Sequence, residues 1–178
     1  MFALLRERNF GLLWFAGLIS FTWNSAFFIA LPLHIYQLTD STLATAGTLG
    51  ASFLPSVLVG SVAGVFVDRW DRQRVMIVSD LLRAALLLPA LLAPESLPLL
   101  YGIAVAQGTL RLFFSPAEGA LLPLLVHPDK LVTANALNAM NNQFGLLLGP
   151  VLGAFAYASF GFSGVLLCNV VSFVASAL

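Results

Sequence analysis

Few residues in this chain have chemistry to offer, and most of them stand inside long apolar runs. Asn24 lies 14 residues past Phe10, in the first such run. In a helix that is about 21 Å along the axis, at or beyond mid-depth of a bilayer. Gln107 falls near the middle of a later run, with Arg111 four residues on and therefore on the same helical face. Asp80 and Arg83 are three apart and can pair on one face. Asn138, Asn141 and Asn142 share another face. Polar groups at such depth face a bundle interior or a wet cavity. There they meet a solute, or they bond between helices for about 0.6 kcal/mol each. Catalytic constellations are absent: there is no His-Glu-x-x-His, no paired mid-membrane acids and no serine with a plausible base. An enzyme is therefore not expected. His34 and His127 fall near the ends of different runs and cannot share a metal, and the lone Cys168 excludes a disulfide framework. No cofactor and no metal site are expected.

The segments that must position these groups follow from composition. Of 178 residues, 60% are hydrophobic and only 9% charged. Mean hydropathy is +0.95. A soluble domain carries roughly 25% charged residues. Eight basic and eight acidic side chains cancel, so there is no basic footprint for nucleic acid. The solvent for most of the chain is the lipid bilayer.

The charges are also clustered. Asp40 is the only charge between Arg8 and Asp68, Glu95 the only one between Arg83 and Arg111, and none follows Lys130. Continuous apolar runs, not alternating ones, predict helices, because helices satisfy their own backbone in lipid. The expectation is an all-α polytopic bundle with six transmembrane helices, over about 10–36, 43–67, 75–92, 97–114, 135–160 and 162–178. The last run stops after 17 residues with no polar flank. That reads as a fragment of a longer protein. Arg6, Arg8, Arg69, Arg72, Arg74 and Lys130 fall in alternate connectors, and Arg83 and Arg111 lie within reach of the same side. The positive-inside rule then puts the N-terminus in the cytoplasm, in a plasma (inner) membrane. The first run is too long for the apolar region of a signal peptide. Pro32, Pro55, Pro89 and Pro150 fall inside these helices, as tolerated kinks or as bends that shape a cavity.

Dense charge closes the second run, in the order Gly64-Val-Phe-Val-Asp68-Arg69-Trp70-Asp71-Arg72-Gln73-Arg74. Its plain role is to stop a helix at the interface. Its order resembles the loop between helices two and three of the major facilitator superfamily, where Gly, Asp-Arg and a basic pair recur. Gly64, Asp68, Arg69 and Arg72 match. Asp71 stands where the family usually has Gly, and Gln73 where it usually has a base, with Arg74 one position on. A second stretch holds Gly145, Gly149, Pro150 and Gly153 and resembles the family's fifth-helix antiporter motif, with Ala154 replacing its last Gly. Glycines four apart also let another backbone approach closely, whatever the family. Residues Ser115 to Pro123 and Leu131 to Asn135 are similar to the branch that includes macrolide and siderophore exporters. The family's fourth-helix Arg would fall at Ala104, and Arg111 comes after Gln107 instead.

This resemblance implies the N-terminal half of a twelve-helix transporter, with the C-terminal half absent from this chain. It implies a secondary active transporter, with proton-coupled efflux of small drug-like or amphipathic molecules by alternating access. Helices one and four would line the cavity, which makes Asn24, Gln107 and Arg111 the substrate-contact candidates. Asp68 would hold a helix N-terminus of the opposite half, with Arg69, Arg72 and Arg74 in its charge network. The alternative is a non-transporting membrane subunit that binds a partner.

Overall fold

A computed structural model describes the backbone of residues 2–67 and 69–178, and the side chains of residues 4–60 and 69–178. Asp68 and the surroundings of Gly64 lie outside the described residues. A short 3-10 turn, Phe2–Arg6, leads into α1, Arg8–Thr39. There follow α2, Thr42–Val67, α3, Arg72–Leu92, and α4, Leu97–Leu125. A second 3-10 turn, Pro128–Lys130, precedes α5, Leu131–Ala177. No strand occurs among the described residues.

The helix ends have local causes. Asp40 closes α1 in a left-handed conformation (φ 48°, ψ 24°), and its N–H donates to the Tyr36 carbonyl. The next residue opens α2: the Ser41 hydroxyl accepts from the Ala44 N–H at 3.2 Å. Two residues thus suffice to reverse the chain. Asp71 caps α3, its carboxylate accepting from the Arg74 N–H at 2.8 Å. Its backbone is extended (φ −65°). The position needs an N-cap acceptor and not a left-handed residue, which is why Asp serves where the resembling pattern has Gly.

One expectation needs correction. The fourth helix does not end at Phe114 but runs on to Leu125, through Pro116 and Pro123. Pro, Glu and Gly in this stretch read as a connector. Yet each Pro forfeits only one backbone bond, and Ala117 and Leu122 are buried against neighbours. Tertiary packing outweighs the breakers. Among the described residues five helices are long and apolar enough to cross a membrane, the last of them 47 residues long. The runs read as 135–160 and 162–178 lie within α5, of 47 residues, as two helical limbs that meet at Gly161. Straight, it would reach about 70 Å, more than twice a hydrocarbon core of about 30 Å. It is not straight. Gly161 has φ 68° and ψ −170°, a conformation open to glycine alone.

Contacts on the two sides of Gly161 run in opposite senses. Before it, Lys130 pairs with Glu7, the Leu137 carbonyl accepts from the Trp14 indole N–H, and Tyr157 bonds His34. All three pairs are 123 residues apart, so this limb lies parallel to α1 in constant register. After it, Phe162 stacks on His34 at 4.1 Å, and Phe173 lies 4.2 Å beneath the guanidinium of Arg83. Arg83 bonds Asn24, so the second limb returns along the bundle.

Glycines allow the parallel contact. A Cβ on Gly149 would meet Ser25 Cβ at 2.5 Å and the Thr22 carbonyl at 2.8 Å. One on Gly153 would stand 2.9 Å from both Cα and Cβ of Ala26, and one on Gly145 would strike the Phe21 ring. Pro150, between them, is half-buried. This face of α5 therefore packs inside the bundle, on α1. Apolar side chains left outside include Val57, Leu92, Val151 and Phe155, on three helices.

Gly153→Leu should lower stability by about 1–3 kcal/mol through overpacking, read as a drop in the thermal midpoint of the detergent-solubilised protein. Gly119→Ala, with nothing within 4 Å of its Cβ position, should not lower that midpoint and should raise it slightly, because Ala is the better helix former.

Candidate functional site

The polar residues converge on one guanidinium. Arg83 is 4% exposed and Asp80 1% exposed, although both sit in the apolar helix α3. Arg83 Nε–H donates to Gln107 Oε1 at 3.0 Å, and Nη2–H to Asn24 Oδ1 at 2.7 Å. Its Nη1 stands 3.6 Å from Asp80 Oδ1. Gln107 Nε2 returns a bond to the Arg83 backbone carbonyl at 2.9 Å. With the Phe173 ring below, this one side chain joins α1, α3, α4 and the second limb of α5. A planar fork with five donors suits such a node, where an ammonium would not.

Beside the node lies a cavity of about 620 Å³ between α1, α2 and α4. Asn24, Gln107 and Arg111 all line it, together with Arg83, Phe28 and Phe53. The close approach of α2 to α4 that shapes its wall depends on Gly108, whose Cβ would strike the Ser52 carbonyl. The structure thus brings the three sequence candidates to one space. It also supplies a fourth, Arg83, which the sequence placed only in a pair with Asp80. The signal was present: an arginine mid-way along an apolar helix must find acceptors on its neighbours. Their identity required the packing.

Glu118 was likewise not singled out. It lies on the continuation of α4 and lines a smaller pocket of about 250 Å³ with Arg111, Asn24 and Asn141. Asn141, 2% exposed, donates to the Trp14 carbonyl at 2.7 Å and so serves the α1–α5 contact. Asn138 is half-buried and Asn142 exposed.

The motif residues fall elsewhere. Arg69 and Arg74 are exposed and Arg72 is half-buried, its Nε lacking a hydrogen-bond partner. Arg69 and Arg74 line an apolar groove between α3 and α4, where Trp70 stacks on Phe113 at 6.4 Å. None of the three borders the main cavity, and neither do Gly145, Gly149, Pro150 and Gly153. Asp68, the central residue of that motif, lies outside the described residues. His34 bonds Tyr157 and the Pro94 carbonyl, both at 3.0 Å. His127 and Asp129 are exposed around the turn before α5. Among the described residues no three His, Cys, Asp or Glu side chains group closely enough to hold a metal.

A sequence profile described as Major Facilitator Superfamily matches residues 13–178. The chain belongs to the major facilitator superfamily. It is 32% identical over 182 residues to an uncharacterized MFS-type transporter, YkuC, of Bacillus subtilis, covering 98% of this chain and 41% of that one. It is 22% identical to macrolide efflux protein A of Streptococcus pyogenes, over 97% of this chain and 44% of the relative. It is 30% identical to the enterobactin exporter EntS of Salmonella typhi, over 75% of this chain and 33% of the relative. The chain therefore spans less than half the length of these relatives. No solved structure matches it. Family and helices together make this a multi-pass membrane protein.

Arg83→Met should destabilise the bundle by about 3–5 kcal/mol, because it leaves Asp80 buried without its counter-charge. Adding Asp80→Leu should recover most of that loss. Denaturant unfolding of the single and double variants in detergent checks the pairing. Equal losses in both would show that Asp80 contributes nothing to it.

Proposed function

We propose that this chain is the N-terminal half of a secondary active transporter that exports small amphipathic or drug-like molecules. The observation that carries the proposal is the 620 Å³ cavity, held between three apolar helices and bordered by Asn24, Gln107 and Arg111. A bundle that only docked a partner has no need of a polar space at this depth. Relatives named as macrolide and enterobactin exporters support the direction of transport. The two limbs of α5 count as the fifth and sixth crossings, which returns the chain to the side where it began. By the basic residues at that end, this side is the cytoplasm.

Alternating access requires a second bundle that rocks against the first around a shared midplane site. The C-terminal half, absent from this chain, would supply it. Asp68, Arg69, Arg72 and Arg74 form the inner latch between halves, with Asp68 on a helix N-terminus of the partner half, whose dipole favours a carboxylate. Exchange for protons is the coupling mode that the resemblance suggests.

Inside-out vesicles holding the native protein should accumulate a fluorescent substrate when energised and lose it when an uncoupler collapses the proton gradient. Asp68→Asn should cut that rate about tenfold at unchanged expression, the equivalent of one charge-assisted bond of ~1.5 kcal/mol. Wild-type efflux from the variant would refute the latch. The orientation has its own check. A cysteine placed at Glu95 should react with an impermeant thiol reagent from outside intact cells, and one at Gln73 only after permeabilisation.

A further inference from the structure

The chemistry of the cavity wall selects a class of substrate, on the reading that this cavity is the transport site. Among the described residues its charged lining groups are Arg83 and Arg111, and no carboxylate borders it. Arg83 is already compensated from behind by Asp80. Arg111 is exposed, with the Phe21 ring 5.5 Å from its guanidinium carbon, and it shares the adjoining pocket with Arg83 and Glu118. No ion pair holds it among the described residues. Glu118, two turns further along α4, lines the adjoining pocket and not this cavity.

The neutral groups point the same way. The oxygens of Asn24 and Gln107 both accept from Arg83, and one of the two Gln107 amide N–H groups donates to the Arg83 carbonyl. What remains on this wall is the amide N–H₂ of Asn24, the second amide N–H of Gln107 and the Ser115 hydroxyl, all able to donate. On the facing wall, the hydroxyls of Ser52 and Ser56 donate into their own helix, to the carbonyls of Thr48 and Phe53. They keep lone pairs that can take a substrate hydroxyl but do not balance a full positive charge. Between the walls stand Phe27, Phe28 and Phe53.

We infer that the cavity takes organic anions with an aromatic-sized apolar body, the acidic group on Arg111 and the Asn24 amide and the body among the three phenylalanines. In a low-dielectric site an unpaired guanidinium attracts an anion and repels a cation far more strongly than in water. Specificity then rests on repulsion as much as on attraction.

The test uses the native protein in energised inside-out vesicles, with carboxyfluorescein as the anionic probe and ethidium as the cationic one, and measures binding to the purified protein in parallel. Carboxyfluorescein should bind and be moved in preference to ethidium. Arg111→Glu should lower carboxyfluorescein binding at least tenfold and raise that of ethidium, while Arg111→Lys retains the anion preference. A structural defect would weaken both probes together, so an inversion of preference separates charge selection from misfolding. Preference for ethidium by the wild type, or a preference unchanged in Arg111→Glu, overturns the inference. If probes bind but neither crosses the membrane, the export reading fails, and the charge preference in binding still decides this one. If neither binds, both fall.

Discussion

A guanidinium in the middle of a lipid-embedded helix cannot be left to itself. Moving such a charge out of water costs several kcal/mol even after relaxation, and Arg83 meets that cost with groups from other helices. Its acceptors come from α1 and α4, its counter-ion from one turn back on α3, and its aromatic floor from α5. The same bonds that neutralise Arg83 therefore fix the mutual placement of four segments. Lipid supplies no hydrophobic force to hold helices together. The polar node adds a directional constraint to the apolar packing of Leu31, Leu87, Leu100 and Phe173.

The node also has two sides. Towards the cavity, Asn24 and Gln107 have their oxygens turned to the guanidinium and present amide N–H groups. Away from the cavity lies Asp80, nearly inaccessible, with Oδ1 outside hydrogen-bond range of any donor. Charge is thus separated across a few ångströms of protein, the positive end facing the open space. The asymmetry follows from which face of α3 meets α4, and it gives the cavity its electrostatic sign.

Around this node the packing is a matter of backbone proximity. Gly149 and Gly153 lie on Thr22–Ala26 so closely that neither tolerates a methyl group without movement. The constant register along α1, from Glu7–Lys130 to His34–Tyr157, is the consequence. It places Asn24 at a set height opposite Arg83. Gly161 then lets the same helix turn and bring Phe173 under the guanidinium. Glycines in the motif thus act first as spacers within the bundle, whatever further role they serve against a second one.

Much of this was legible without coordinates, because lipid imposes rules that a linear sequence must obey. Long uncharged runs, prolines inside them and basic residues at alternate ends follow from the thickness and polarity of a bilayer, so the all-helical character and the spans α1 to α3 could be read directly. Family membership rested on spaced residues such as Gly64, Asp68, Gly149 and Pro150, which local chemistry keeps recognisable. Asn24, Gln107 and Arg111 stood out because polar side chains at that depth are expensive. The tertiary structure alone decided that Pro116 continues a helix, that the limbs on either side of Gly161 fold back on each other, and that Arg83 is the centre on which the candidates meet. Each of these turns on partners distant in the chain: burial of Ala117, stacking of Phe162 on His34, and an amide oxygen 59 residues away from the arginine it satisfies. A sequence shows which groups must be satisfied, and only the packed chain shows by what.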